Sequence, residues 1–263
     1  MTIYHKITYG PGHRIAPVLA SLGHQHNGKL VTLEISEEDP LWPAMADAAS
    51  VHGPLHSVRT EFSKREFESA EYLEMTPSWH QGYPQPEQHF DFVRVAYDSS
   101  GYCDACGIKG NQIAPFRMSG EPGWGKNSIL QLNWVFDEYF SKPETWSDIF
   151  EPLNIGFQPV IRHRDGTQLE SVVQLDVSDR SDVNVSGLNS ETCPSCGRVK
   201  YNWVTRGFSP SPVNPPIGVH AFKSSEWFGS DHSGNHMVFV SAKLYDDIVK
   251  SGIRGAAFRP CGI

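Results

Sequence analysis

Two short stretches, GYCDACGIKG at residues 101–110 and ETCPSCGRVK at residues 191–200, each carry a Cys-x-x-Cys-Gly. Thiols at this spacing suit a redox dithiol, half of a metal site, or part of an iron–sulfur ligand set. Two cysteines three residues apart can reach one cation. The glycine behind the second permits the tight turn that aims backbone N–H groups at sulfur. Cys103 and Cys106 supply one half of a tetrahedral shell, and Cys193 and Cys196 the other. Such a shell has Zn–S bonds of about 2.3 Å. A thioredoxin-like pair instead sits before a helix N-terminus, which lowers its thiol pKa. The residues after each second cysteine, GIKGNQIAPF and GRVKYNWV, do not read as amphipathic helices. An iron–sulfur cluster has the same ligand count, but nothing else in the chain suggests electron transfer. Catalytic zinc keeps an open position, and four thiolates leave none. The expected centre is therefore closed and structural, with one Zn2+ per chain. Residues 107–192 form a long loop between its halves, which is tolerable because closure entropy grows only logarithmically with length.

Other polar groupings are weaker. His24-Gln-His26 and His52-Gly-Pro-Leu-His56 lack the helical spacing of a metalloprotease motif. His232-Ser-Gly-Asn-His236 lies too far beyond Cys196 for a finger of two cysteines and two histidines, and reads as an exposed loop. No nucleophile elbow, Walker loop or dinucleotide fingerprint is present. Asp137-Glu138 and Asp246-Asp247 read as solvated faces, and Cys261 as an odd thiol with no evident partner. Of seven tryptophans, Trp42, Trp134 and Trp146 are expected in the core. Trp124 and Trp227, in glycine-flanked loops, are expected at a partner-binding surface, where aromatic anchors dominate.

The elements that must position these residues are short. The chain has 263 residues, 23 of them glycine and 19 proline, which argues for short elements and long loops rather than a helix bundle. A chain of this length can bury roughly 70–75% of its unfolded surface, so its core needs no covalent staple. Residues 29–35 alternate as a strand and residues 43–49 suit a short helix. Ser63 and Glu66 form a capping box expected to open a helix reaching Met75. Residues 90–97, FDFVRVAY, read as a strand delivering the chain to the first knuckle. Residues 129–140 are apolar enough to be buried. Ser141 and Glu144 form a second capping box, opening a helix through Phe150. Residues 159–163 and 169–177 should pair around Asp165-Gly166. Near the C-terminus, a strand at 237–240 leads to a helix at 242–250 capped by Ser241, stopped at Gly252 and followed by a strand at 254–258. The fold class is α+β: small mixed sheets, short helices, a zinc-knuckle or zinc-ribbon-like four-cysteine site and long Gly/Pro-rich loops. A single domain is expected over 1–263, with a subdivision, if any, into 1–100 and a zinc-tied 101–263.

The net charge of −8 disfavours nucleic acid, and the basic residues do not cluster. The N-terminus has no secretory apolar run and the chain no stretch of 18 apolar residues, so no membrane partner is expected and a cytoplasmic location is. A reducing compartment argues against disulfides among the five cysteines.

The two CxxCG motifs, with the closing VFVSAKLYDDIVKSGIRGAAFRP at residues 238–260, resemble the double-CXXCG motif proteins of bacteria. The match rests on Cys103, Cys106, Gly107, Cys193, Cys196 and Gly197, on overall length and on the strand–helix–strand end. Some members of that family are thought to be immunity proteins that neutralise a cognate toxin. The resemblance therefore implies a non-enzymatic, zinc-stabilised binding protein whose partner is a toxin protein, and the acidic balance of the chain suits a basic toxin domain such as a nuclease. The alternative is an enzyme with a structural zinc and an active site in the His- and Trp-containing loops.

Overall fold

The computed structural model describes all residues except 25–27 and 263. Its backbone groups into two compact units, Met1–Phe67 with Val204–Phe208, and Glu68–Trp203 with Ser209–Ile263. Small sheets and short helices occur in mixed order, as the sequence predicts.

In the first unit, strand β1 (Thr2–Tyr9) buries Ile3, His5, Ile7 and Tyr9 on one face, the period of two that a half-buried strand requires. Helix α1 (Ala16–Ser21), strand β2 (Val31–Ser36), helix α2 (Trp42–His52), strand β3 (Leu55–Glu61) and helix α3 (Lys64–Ser69) follow. β1 lies between β2 and β3, antiparallel to both. Ile7, Ile15, Leu19, Ile35 and Met45 make a core of their own. The Ser63–Glu66 box forms reciprocally: the Ser63 N–H donates to Glu66 Oε2 at 2.7 Å and the Glu66 N–H to Ser63 Oγ at 3.3 Å. The helix it opens ends at Ser69 rather than Met75. Residues beyond that point become strand β4 (Tyr72–Pro77).

β4 belongs to the second unit, which begins at Glu68. It lies between two C-terminal strands, where Leu73, Glu74 and Met75 are buried. Sheet pairing outweighs the helical preference of this stretch. The expected strand at 90–97 is likewise corrected: it is a 3-10 turn, Gln88–Phe90, followed by helix α4 (Phe92–Ala96). The buried residues Phe92, Val93 and Ala96 have helical rather than alternating spacing.

Onward come β5 (Arg117–Met118), β6 (Ile129–Leu130), β7 (Phe140–Ser141), α5 (Pro143–Thr145) with a π-turn at Trp146–Phe150, β8 (Gly156–Arg162) and β9 (Gln168–Asp176). The second capping box does not form. Ser141 is in β7, and Lys142 is the N-cap without a side-chain bond. β8 and β9 pair antiparallel as expected, with Gly166 at φ +73° in their connection. These strands form the sheet β5-β8-β9-β7-β6. Phe92, Phe116, Phe140, Val160 and Val172 pack there.

The remainder is β10 (Arg180–Ser181), β11 (Ser190–Thr192), β12 (Val199–Tyr201), β13 (Ala221–Ser224), β14 (Trp227–Phe228), β15 (Val238–Ser241), α6 (Ala242–Lys250) and β16 (Ala256–Pro260). They complete two sheets, β10-β13-β15-β4-β16 and β11-β12-β14. Ser241 Oγ accepts the Leu244 N–H at 3.3 Å and so caps α6. Leu244 and Ile248, four apart, bury one face of that helix. Among the described residues no helix is long and apolar enough to cross a membrane.

Candidate metal centre and adjoining surfaces

The two knuckles have the same backbone. In the first, the Cys103 N–H donates to the Ile108 carbonyl at 3.0 Å and the Gly107 N–H to the Cys103 carbonyl at 2.8 Å. In the second, Cys193 donates to Arg198 and Gly197 to Cys193, both at 2.9 Å. Gly107 and Gly197 take φ +70° and +73°, the left-handed region that glycine enters without steric cost. β11 and β12 form the antiparallel pair that carries the second knuckle.

The four sulfurs converge. Cys103 Sγ lies 3.9 Å from Cys193 Sγ, and Cys106 Sγ 3.7 Å from Cys196 Sγ. All four lie within 4.8 Å of one another, and none is in a disulfide. A tetrahedron with 2.3 Å metal–sulfur bonds has edges of about 3.8 Å, so the spacing fits one metal ion. The fold thus brings together the four cysteines that the sequence offers as ligands. Cys103, Cys106 and Cys193 are buried and Cys196 is exposed.

The surroundings favour thiolate on one side of the centre. Arg198 Nε approaches Cys196 Sγ at 3.4 Å, and this bond with the Arg198 backbone N–H lowers that thiol to about 6. Burial drives Cys106 the other way, up to about 12. A coordinated dication reverses that preference, because a thiol on a metal is deprotonated outright. Arg198 also donates to the Gly101 carbonyl at 2.8 Å, and Lys200 Nζ to the Cys106 carbonyl at 2.9 Å and the Asp231 carbonyl at 2.5 Å. The segment after the second knuckle thus reaches across to the first half.

Other expectations change. Trp124 is 9% exposed, packs in the Phe92–Phe116 core and donates its indole N–H to the Ser171 carbonyl, so it offers no anchor surface. Trp227 is half-buried, packs on the cysteine cluster and lies 3.7 Å from the His236 ring. Trp134, expected in the core, is half-buried between Tyr83 and Phe90, with ring centroids at 4.5 and 4.6 Å. The 232–236 segment is no exposed loop at its end: Asn235 and His236 are buried. Cys261 is buried beside Phe222 and Phe239, and burial raises its thiol. His26 lies outside the described residues. His56 shares a hydrogen bond with His5 at 2.8 Å, and His5 with Glu37 at 2.7 Å.

The largest correction concerns Asp137 and Glu138, which are buried rather than solvated. Lys109 Nζ meets Asp137 Oδ1 at 2.9 Å and Lys223 Nζ meets Glu138 Oε1 at 2.5 Å. Burial raises both carboxyls, but around Asp137 the Lys109 and Lys223 ammonium groups outweigh it and hold that carboxyl well below its ordinary range. Glu138 stays raised. The signal was present in the sequence, since both carboxylates sit between Val135-Phe136 and Tyr139-Phe140 in a stretch read as buried. Buried charges must be paired, but the partners, Lys109 and Lys223, are remote in sequence and carry no motif.

A second surface flanks the first knuckle. A groove of about 350 Å³ is lined by Phe90, Phe92, Tyr102, Trp134 and Phe136, with the Ser230–Asn235 turn opposite. Phe90, Tyr83 and Phe136 are exposed. His89, Phe90, Trp134 and Asp231, none of them glycine, take φ values of +54°, +59°, +68° and +47° there. Such conformations cost on the order of 1–3 kcal/mol each and gather at functional sites.

Comparison of the chain with protein-family models, with curated proteins and with solved structures gave no match.

Proposed function

We propose that this chain is a non-enzymatic, zinc-stabilised binding protein of the bacterial cytoplasm that captures and neutralises a basic toxin domain. The observation that carries the reading is the closed centre. Four thiolates within 4.8 Å of one another satisfy all four positions of zinc and leave none for a substrate. The metal's work is then architectural: a zinc-ribbon-like clamp joining segments 90 residues apart. The immunity role comes from the resemblance to the double-CXXCG motif proteins. The aromatic groove beside the first knuckle supplies what a partner needs, a cluster of exposed rings on a constrained backbone. Near Phe90 in the chain Asp91 is paired with Arg94, so it is the acidic balance of the whole chain that suits a cationic partner. Trp134 and Phe90 take the anchor role first expected of Trp124.

Two measurements test the reading. Elemental analysis of purified protein should give one zinc per chain, and Cys103→Ser and Cys196→Ser should lower metal content and folded yield alike. Metal binding is folding free energy, of order 10 kcal/mol in zinc peptides. Two zinc ions per chain, or loss of metal with only one of the variants, excludes a shared site. Co-expression with the product of the adjacent gene should protect cells and yield a one-to-one complex. Trp134→Ala should weaken that complex by about 2 kcal/mol or more. Failure to protect removes the immunity role and leaves the metal centre standing.

A further inference from the structure

Beside the metal centre, and separate from it, the second unit holds a cavity of about 230 Å³ built from buried charge. Much of its lining is already satisfied. Lys109 donates to Asp137 and to Asn235 at 2.8 Å, with its ammonium 5.1 Å from the centre of the Tyr97 ring. The second oxygen of Asp137 takes the His236 backbone N–H at 3.2 Å. Glu138 accepts from Lys223 and, at 3.1 Å, from Gln174. Gln112 and Gln174 exchange amide hydrogen bonds at 2.7 and 2.9 Å. These groups form a rigid frame.

Several lining groups retain unused capacity. The Tyr97 hydroxyl and His236 Nε2 are buried without a partner among the described residues. His236 Nδ1 lies 3.1 Å from the Glu226 carbonyl and must be the protonated nitrogen, which leaves Nε2 as an acceptor. Burial, followed by the Arg180 charge, keeps this ring neutral. Lys223 has, among the described residues, only Glu138 as a partner for its three N–H groups. Arg180 is its register neighbour across β10 and β13, donates one N–H to the Ser224 carbonyl at 3.1 Å and has no carboxylate in ion-pair range among the described residues. Asp176 stands exposed at the mouth, with no ion pair among the described residues.

Among these groups the donors are mainly cationic, Arg180 and Lys223, and the acceptors are the His236 imidazole and the Asp176 carboxylate. The charged side chains of the lining balance: Lys109, Arg180 and Lys223 against Asp137, Glu138 and Asp176. A net anion or cation would upset that balance. A neutral polyol would leave Arg180 and Asp176 without counter-charges. We infer that the cavity binds a small zwitterion, a free α-amino acid, with its carboxylate at Arg180 and Lys223 and its ammonium group at His236 Nε2 and Asp176. The Tyr97 hydroxyl donates to the same carboxylate. The inference rests on this cavity alone and is independent of the toxin-binding reading.

The test uses the full metal-loaded chain. Each proteinogenic α-amino acid is titrated calorimetrically, beside its des-amino carboxylic acid and glucose. At least one amino acid should bind with a Kd at or below about 1 mM, at least tenfold tighter than its des-amino analogue, a difference of about 1.4 kcal/mol. Arg180→Gln changes an exposed side chain and Tyr97→Phe removes only an unpartnered hydroxyl, so both should fold and hold zinc while weakening binding severalfold. No heat of binding from any amino acid up to about 10 mM overturns the proposal. Equal binding of the des-amino acid, or tighter binding of glucose, overturns it too.

Discussion

Among single residues, His236 shows how burial turns a common side chain into a pH-sensitive one. Its ring is 4% exposed. Burial, with a further contribution from Arg180, lowers its pKa to about 3 against an ordinary 6.5. The unfolded chain therefore takes up the proton first as pH falls. The contribution is fully present above pH 6.5 and is lost progressively towards pH 3, at up to about 1.4 kcal/mol per pH unit. Urea unfolding from about pH 7.5 to about pH 4.5 should show a steep loss in the wild type and a shallower one in His236→Gln. Metal loss in acid is common to both proteins, so their difference isolates the imidazole. Parallel curves would mean that His236 is solvated. Glu138 acts in the opposite sense: its raised carboxyl binds its proton more readily in the folded chain, so it stabilises at low pH and loses that contribution as pH rises.

Among the elements, the knuckles look interchangeable in sequence and are not so in the fold. Both glycines are left-handed, so alanine at either meets a backbone cost of about 1–2 kcal/mol. Around Gly197 nothing lies within 4 Å of an added Cβ, whereas at Gly107 that carbon would collide with the His232 carbonyl. Gly107→Ala must displace the turn carrying Asn235 and His236, and with it the pairing of Lys109. Gly197→Ala should keep its metal-binding capacity and lose about 1 kcal/mol, and Gly107→Ala should lose several times more, as read by urea unfolding and metal content. Equal losses would show that the turn does not seat on the first knuckle. The corrections at β4 and α4 concern elements as well. In the sequence the first segment reads as helix and the second as strand; β4 is held by the distant strands β15 and β16, and the buried Phe92, Val93 and Ala96 have helical spacing.

For the molecule as a whole, the charge of −8 becomes a kinetic statement. On the proposed capture of a basic toxin, association should be faster than uncharged docking allows, by about tenfold or more at low salt. Stopped-flow measurements across ionic strengths should show the association rate falling steeply with salt while dissociation barely changes. A salt-independent association rate would remove electrostatic steering and leave the aromatic groove to account for binding alone.

Features whose cause is local could be read from the chain before any coordinates. Two Cys-x-x-Cys-Gly motifs contain both the ligands and the turn chemistry of a metal site, so Cys103, Cys106, Cys193 and Cys196 were legible from spacing. The β8–β9 hairpin and the capped helix α6 were legible for the same reason, since a short turn and an N-cap act within a few residues. Where the tryptophans face, and that Asp137 and Glu138 are buried against Lys109 and Lys223, emerged with the packed fold and not before. The same packing brought Tyr97, Arg180 and His236 to one cavity. These relations depend on which distant strands become neighbours. A lysine that neutralises a buried carboxylate 28 or 85 residues away leaves no periodicity in the chain, because its partner is fixed by the close packing of the whole unit.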